Sequence, residues 1–368
     1  MKDFIEGLDK KKVMYLVGGL VVIIVIFLIF NIIGTQLFSK KNYEEIENIM
    51  KNAALKYYKD NESSLPNEIG NTKEVDVSTL SDGKYMKSMD KLLNDKNKSC
   101  TGKVKVTNVD NSYKYTPILD CGDDYKTIAF VDYLKKNIQV VESGDGLYSL
   151  NEQLVYRGEK VNNYVVINNK TFRIIKIEDD KVVLMFVNKL LSMDWDNRYN
   201  TDRSSKVGIN TYSISRINDY LKELYAGSDF LTSDNKLLLA RYNVPVGKRD
   251  ANNIDKSGET EKTDFYENQY IGLLPLYDFL NASLDTNCTI STSTSCVNYN
   301  YLVKLDSPYW TSTADINTSY KVYKIDIGSG AVLSNANTNA SVQPVIYLSS
   351  NTVYVDGNGS KENPYKVK

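Results

Sequence analysis

The sequence contains no histidine among its 368 residues. Catalysis by a serine or cysteine nucleophile with a histidine base is therefore excluded within this chain, as is a zinc site with histidine ligands. Tryptophan is limited to two residues and cysteine to four. An excess of either charge is also missing, because 45 basic and 46 acidic residues leave a net charge of −1. Bulk electrostatics therefore gives no reason to expect nucleic acid as a partner.

The longest apolar run is Val13–Ile33, which reads VMYLVGGLVVIIVIFLIFNII and contains no charge. A helix of this length spans about 30 Å, the thickness of the hydrocarbon core of a bilayer. Three lysines, Lys10–Lys12, precede it. We therefore predict a cytoplasmic stub at residues 1–12 and a transmembrane signal anchor at residues 13–35 that sits in the lipid bilayer, with the C-terminal domain extracellular at the cell membrane.

Two alternatives match this run less well. A cleaved secretory signal has an apolar region of about 7–15 residues and a small-residue cleavage site, and the segment Asn31–Gln36 offers no such site. A type IV prepilin leader places a glycine directly before the apolar helix and an acidic residue early within it. Glu6-Gly7 is followed instead by Leu-Asp-Lys-Lys-Lys, and the run has no acidic residue. A retained anchor is the better interpretation.

The cysteines follow this run and are even in number, as expected in an oxidising compartment. Cys100 and Cys121 flank two alternating runs that are joined by the turn pair Asp110-Asn111. The hairpin register that sets Val109 against Ser112 also sets Cys100 opposite Cys121. The sequence therefore predicts a disulfide across the open end of a hairpin.

The other two cysteines, Cys288 and Cys296, enclose a loop rich in serine and threonine. A second local disulfide is predicted there. The alternative is a metal site formed by all four cysteines, but neither pair has Cys-x-x-Cys spacing, so two disulfides are favoured.

Residues 36–140 are predicted to form a small domain of helices and one hairpin. The segment Asn42–Asp60 has apolar residues at helical spacing and acidic residues before basic ones, which suits the helix dipole. A second helical pattern runs through Leu80–Leu93. An apolar helix followed by an amphipathic helix and a small disulfide-tied sheet resembles the pseudopilin-like ectodomains of low-GC Gram-positive bacteria. Because the leader signature is missing, the resemblance implies a stalk or spacer rather than a filament subunit.

Residues 141–368 are predicted to form a second domain. Strand-like runs become frequent after a flexible point at Ser143–Gly146, within the join between the two domains. Four strand-like runs separated by turn residues predict an antiparallel meander. Ser213–Leu224 has a helical apolar face with Ser213 as N-cap. The predicted elements are strands at Leu154–Arg157, Tyr164–Ile167, Thr171–Ile177 and Lys181–Val187, a short helix at Leu276–Ser283, and strands at Tyr320–Ile327, Val342–Leu348 and Thr352–Val355.

Several segments of this domain resemble a family of Gram-positive surface domains. They are GDGLYSLNEQLVYRG, MDWDN and ISRINDYLKELY near its start, and YWTSTA, VYKIDIGSGAV, VQPVIYLSS and DGNGSKENPYKV near its end. The layout is similar to the C-type-lectin-like fold shared with formylglycine-generating enzymes. The fold class implied is α+β: an N-terminal transmembrane helix, a small helix-plus-hairpin domain, then a C-type-lectin-like mixed domain rich in short antiparallel strands.

The chemistry of this family does not transfer to the chain. Formylglycine-generating enzymes use cysteines with copper, whereas the cysteines of this domain are assigned to a disulfide. Calcium-dependent lectins use a Glu-Pro-Asn or Gln-Pro-Asp loop, but here Gln343-Pro344 is followed by Val345, and Trp195-Asp196-Asn197 lies far upstream. Neither segment supplies the roughly 6–8 oxygen ligands that Ca²⁺ takes. We expect no metal and no cofactor.

The sequence therefore predicts a non-catalytic, membrane-anchored adhesion protein that recognises an extracellular glycan or protein through loops of the C-terminal domain. Core packing is the alternative role for Trp195, and the favoured one for Trp310. A structural component of a pilus-like or envelope assembly is the main alternative function. A hydrolase using Asp194 and Asp196 is a weaker third. The candidate ligand-binding residues are Trp195, Asp196, Arg198, Lys248, Arg249 and Tyr299.

Overall fold

The computed structural model describes residues 23–27, 43–93, 99–110 and 112–368. Within these residues, no helix is both long enough and apolar enough to cross a membrane. The predicted fold class is therefore corrected at its transmembrane helix. Of the range 13–35, residues 23–27 are described, and they are helical. The rest of that range and the stub at 1–12 lie outside the described residues.

The described chain is an α+β structure in which strands and sheets predominate, and it forms two compact units. The first unit contains the described residues up to Asn108 together with Lys114–Thr127. The second unit contains Val109–Tyr113 and Ile128–Lys368.

The first unit combines a helix with a three-stranded antiparallel sheet. Helix α1 (residues 43–60) buries side chains three or four positions apart, including Ile46, Met50 and Ala53. The sheet order is β1-β2-β3, so the predicted hairpin gains a third strand that the sequence did not indicate, because only Val75 of β1 is buried. The remaining elements are β1 (Thr72–Asp76), α2 (Val77–Asp82), α3 (Met89–Leu93), β2 (Thr101–Asn108) and β3 (Tyr113–Asp120).

The disulfide between Cys100 and Cys121 is present, with 4.2 Å between the two Cα atoms. The backbone N–H of Val109 donates to the Ser112 carbonyl at 2.9 Å, which is the register expected from the sequence. Asp110 has a φ of +70°, as a tight turn requires. Asn111, the other predicted turn residue, lies outside the described residues. The predicted pairing of these two cysteines is confirmed.

The second unit contains most of the regular structure. Its helices are α4 (Phe130–Asn137), α5 (Arg216–Ala226), α6 (Ser233–Lys236) and α7 (Leu276–Ala282). Its strands are β4 (Gly146–Leu150), β5 (Gln153–Arg157), β6 (Tyr164–Ile167), β7 (Lys170–Glu178), β8 (Lys181–Phe186), β9 (Ser192–Asp194), β10 (Tyr242–Pro245), β11 (Phe265–Gln269), β12 (Tyr309–Ala314), β13 (Lys321–Asp326), β14 (Gly330–Asn335), β15 (Asn339–Ser341), β16 (Val345–Leu348), β17 (Tyr354–Asp356) and β18 (Tyr365–Val367).

The largest sheet has eight strands. Six follow the order β16-β8-β7-β6-β18-β17, and the hairpin β4–β5 attaches to β7. The central strand β7 is buried without interruption from Phe172 to Ile177, which is typical of a strand covered on both faces. The strands β5 to β8 lie where turn residues and apolar alternation predicted them, whereas β18 pairs with β6 in parallel rather than antiparallel.

A second sheet has the order β14-β13-β12-β15-β9, and β10 pairs with β11. Trp310 lies within β12 and is fully buried, and its indole N–H donates to the Met193 carbonyl at 2.9 Å. Its predicted core role is confirmed. β12 and β15 pair in parallel, a second departure from a purely antiparallel arrangement.

Helix α5 begins at Arg216, and its N-cap is Ser215 instead of the predicted Ser213. The Ser215 hydroxyl accepts a hydrogen bond from the Asn218 N–H at 3.3 Å, while Tyr212–Ile214 form a separate 3₁₀ turn that keeps Ser213 out of the cap position. Helix α4 buries its apolar face in the core of the second unit.

The second predicted disulfide is also confirmed. Cys288 and Cys296 are bonded, with 4.6 Å between the Cα atoms. Both are buried, so the bond closes a loop whose base belongs to the core.

Candidate ligand-binding site

The first cleft of the second unit is a polar depression of about 590 Å³. It lies where the loop after β9 meets the start of α5. Arg198, Lys206 and Arg216 provide three cationic groups, and Tyr199 provides an aromatic ring that is 55% exposed. The full lining is Asp194, Asn197, Arg198, Tyr199, Lys206, Arg216 and Asn337.

Charge in the first cleft is partly balanced. Arg198 is 3.1 Å from the Asp219 carboxylate and 3.8 Å from that of Asp196. Lys206 and Arg216 form no ion pair with any described residue, and both are exposed. Two cations are therefore available to a ligand without breaking an existing pair.

Trp195 and Asp196 lie beneath this cleft rather than in it. Both are fully buried, and the Trp195 indole N–H donates to the Thr311 carbonyl at 3.2 Å. The Asp196 Oδ2 atom accepts from the Ile209 N–H at 3.0 Å, while its Oδ1 atom has no hydrogen-bond partner among the described residues. These two predicted binding residues therefore anchor the loop that carries Arg198, and the core-packing alternative for Trp195 is the one observed.

The second cleft has a volume of about 420 Å³ and a more apolar wall. Phe265 and Ile316 are 41% and 59% exposed, and Tyr266 is half-buried beside them. Lys248 is exposed and donates to the Asn210 side-chain oxygen at 3.0 Å. The full lining is Asn210, Thr211, Tyr212, Ser213, Val246, Gly247, Lys248, Thr263, Asp264, Phe265, Tyr266 and Ile316.

Aromatic contacts connect the buried Trp195 with the wall of the second cleft. Trp195 and Tyr212 meet edge to face with 6.0 Å between ring centroids, and Tyr212 and Tyr266 do so at 5.8 Å. The buried Tyr212 hydroxyl has no hydrogen-bond partner among the described residues. A hydrogen bond with Lys222 lowers the pKa of Tyr266, although its partial burial opposes the shift.

The two clefts share one segment of chain. Lys206 and Arg216 line the first cleft, and residues 210–213, between them in sequence, line the second. The polypeptide over residues 206–216 therefore contributes side chains to both clefts.

Arg249, another predicted binding residue, is fully buried. Its guanidinium pairs with the buried Glu261 carboxylate at 3.1 Å and donates to the Ser291 hydroxyl at 2.6 Å and to the backbone carbonyls of Asn253 and Asp255. Arg249 therefore connects the loop at 250–261 to the loop closed by the second disulfide. Its side chain is not exposed to solvent.

Tyr299 is 59% exposed and lines neither cleft. Of the six predicted residues, Arg198 lines the first of these two clefts, Lys248 lines the second, and the other four line neither. The structure adds Tyr199, Arg216 and Tyr266. No motif marks these three residues, because their common feature is a position that only the folded chain creates.

The residues described also limit the chemistry of the site. They contain no group of three or more acidic or cysteine side chains that could hold a metal ion. Asp194 lines the first cleft, but Asp196 is buried below it, so these two carboxylates do not face a shared substrate position as a glycosidase pair would.

The chain was compared with known protein families, curated proteins and solved structures. No protein family, curated protein or solved structure matches this chain.

Proposed function

We propose that the second unit is a non-catalytic binding domain that recognises an extracellular glycan through the two clefts beside residues 206–216. The observation that carries this proposal is the second cleft, where aromatic and aliphatic side chains lie next to lysine, aspartate and amide groups in a space of about 420 Å³. Small-molecule sites typically have volumes of about 300–1,000 Å³ and combine apolar walls with a few polar groups. Sugars present both an apolar ring face and a rim of hydroxyls, so this combination suits them.

The segment that the two clefts share, residues 206–216, favours an oligosaccharide over a single sugar. Because the first cleft is polar and the second is partly apolar, a chain crossing residues 206–216 meets hydroxyl-binding groups at one end and a stacking surface at the other. A protein ligand of standard interface size is the less favoured partner, since such interfaces are broad whereas these are two separate depressions.

Two disulfides support a location outside the cytoplasm, where such bonds form and persist. We also propose, on the motifs quoted above, that the second unit belongs among C-type-lectin-like domains and that the first unit is a pseudopilin-like spacer.

The experiment is to measure binding of the oxidised full chain to a panel of envelope glycans and their fragments of increasing length, with added Ca²⁺ and with a chelator. We expect affinity to rise with chain length until both clefts are filled, and to be indifferent to the chelator. Affinity for no glycan in the panel would refute the proposal. Self-association of the chain in place of glycan binding would support the alternative role in an envelope assembly.

A further inference from the structure

A cluster of charged side chains, separate from both clefts, lies in the core of the second unit between β7 and α7. The Lys176 Nζ atom lies 3.2 Å from the Asp278 Oδ1 atom and 3.4 Å from the Glu178 Oε2 atom. It also donates to the Tyr277 hydroxyl at 2.9 Å. The side chains of Lys176 and Asp278 are 0% and 3% exposed, while that of Glu178 is 24% exposed.

This arrangement is costly if it remains ionic. Burying a lysine and a carboxylate removes both from water, and their mutual attraction repays the desolvation only in part. The Nζ atom of Lys176 lies 3.2 Å from the Oδ1 atom of Asp278, so the amine is in direct contact with the carboxyl group whose carbon it would attack. An amide between them is neutral and leaves no buried charge.

The protonation states of the two carboxyl groups also suit condensation, whereas that of the amine does not. Burial raises the pKa of Asp278 and so favours its neutral carboxyl form, the better electrophile. Burial opposes ionisation of Glu178, but the Lys176 charge and a hydrogen bond from Tyr347 lower its pKa and keep it a carboxylate. Burial lowers the pKa of Lys176, yet Asp278, Tyr347 and Glu178 outweigh this effect and raise it. The amine must therefore give up a proton before it reacts.

We propose that Lys176 and Asp278 condense after folding into an intramolecular isopeptide bond, with Glu178 as the group that accepts and moves the proton. The Lys176 ammonium gives a proton to Glu178, and the freed Nζ electron pair attacks Cγ of Asp278. A C–N bond forms, the C–OH bond breaks, and the hydroxyl leaves as water with a second proton from nitrogen. Glu178 is left with one proton, which its exposed side releases to solvent. No oxidant or cofactor takes part.

The consequence is a covalent link between the central strand of the largest sheet and helix α7. This bond does not depend on redox conditions, unlike the two disulfides. It also does not depend on the proposed glycan site, because none of its three residues lines either of the two clefts.

The test is the intact mass of the purified full chain after complete disulfide reduction. We expect a mass lower than that of the sequence by one water molecule, and a protease digest containing one branched peptide that joins the Lys176 and Asp278 segments. A full sequence mass, with Lys176 and Asp278 recovered in separate linear peptides, would overturn the proposal.

Three variants test whether the loss of water comes from condensation of Lys176 with Asp278. Glu178→Gln keeps a side chain of the same size at a partly exposed position and is expected to retain the full mass. Asp278→Asn is expected to lose ammonia instead of water and to give the same branched peptide. Lys176→Arg has no reactive amine, so water loss that persists in it would come from another reaction, such as succinimide formation at Asp145-Gly146, and would refute the assignment.

Discussion

The guanidinium of Arg249 lies 3.1 Å from the carboxylate of Glu261, and neither side chain is exposed to solvent. Burial raises the pKa of Glu261 in spite of this partner. The same carboxylate accepts the Tyr277 N–H at 3.0 Å, so the pair connects an irregular loop to the start of helix α7. The polar sequence of the loop at 250–261 suggests an exposed segment, but the buried ion pair anchors this loop to the core.

Removing one partner of this pair is expected to destabilise the second unit strongly. Arg249→Ala leaves the Glu261 carboxylate buried without its counter-charge, a change that typically costs about 3–5 kcal/mol. Urea unfolding followed by tryptophan fluorescence reports on this unit, since it contains both tryptophans of the chain, Trp195 and Trp310. The matched control is Lys248→Ala next door, expected within about 0.5 kcal/mol of the wild type. Equal losses in the two variants would show that the buried pair contributes nothing.

The first unit is expected to become more stable as the pH rises. Burial, together with the nearby Lys51 charge, lowers the pKa of Lys114 to about 7, whereas an unfolded lysine titrates near 10.4. Between these values the unfolded state binds a proton that the folded state does not, so the unfolding free energy rises with pH, by up to about 1.4 kcal/mol per unit. Below the folded pKa the penalty is constant.

The measurement is urea unfolding at several pH values between about 7 and 10, read by a hydrogen-exchange pulse over residues 43–60. Lys114→Met is expected to flatten the pH dependence and to raise stability most at the low end. Lys73→Met, at an exposed position on the same sheet, is expected to leave the slope unchanged. An unfolding free energy of the wild type that does not change with pH over this range would contradict the lowered pKa of Lys114.

The two disulfides are expected to stabilise by different amounts, because they close loops of different length. The cysteines are separated by 21 residues for Cys100–Cys121 and by 8 residues for Cys288–Cys296. Chain-entropy arguments give about 3.3 and about 2.5 kcal/mol respectively. Paired Cys→Ser variants of each bond, compared by denaturant unfolding under oxidising conditions, test this order. A larger loss from the shorter loop would mean that native packing, and not loop closure, decides the effect.

Glycan affinity is expected to depend on residues that the fold brings together. Arg216→Ala in the first cleft and Tyr266→Ala in the second each remove a group open to a ligand, and we expect about tenfold weaker binding for each, or about 1.4 kcal/mol. Tyr299→Ala is the matched control, because it removes an exposed tyrosine outside both clefts. Titration calorimetry with the tightest glycan of the panel provides the numbers. A loss in Tyr299→Ala alone would place the site at the loop 287–300 instead.

Local patterns in the sequence predicted several elements correctly. The strands β5 to β8 are bounded by turn residues and consist of β-branched and aromatic residues, so their positions follow from short-range chemistry. The two disulfides follow from hairpin register and from a short cysteine spacing. Strand β1 was missed because only Val75 of its five residues is buried and no alternation shows.

Most residues that line the candidate site could not be predicted from the sequence. Lys248 and Arg249 are adjacent and similar in charge, yet one lines a cleft and the other is buried against Glu261. Their roles differ because residues far along the chain, such as Ser291, decide which side chain is enclosed. Trp195 lies among charged residues in the sequence, but a tryptophan in such a segment is as typical of a core residue as of a binding one.

The most direct test of the proposed function is hydrogen exchange of the full chain with and without the tightest-binding oligosaccharide. We predict that protection on binding concentrates in residues 196–216 and 246–266, which supply most of the lining of the two clefts, and that the peptide containing Tyr299 is unchanged. Protection confined to the loop at 287–300, or confined to the first unit, would contradict it.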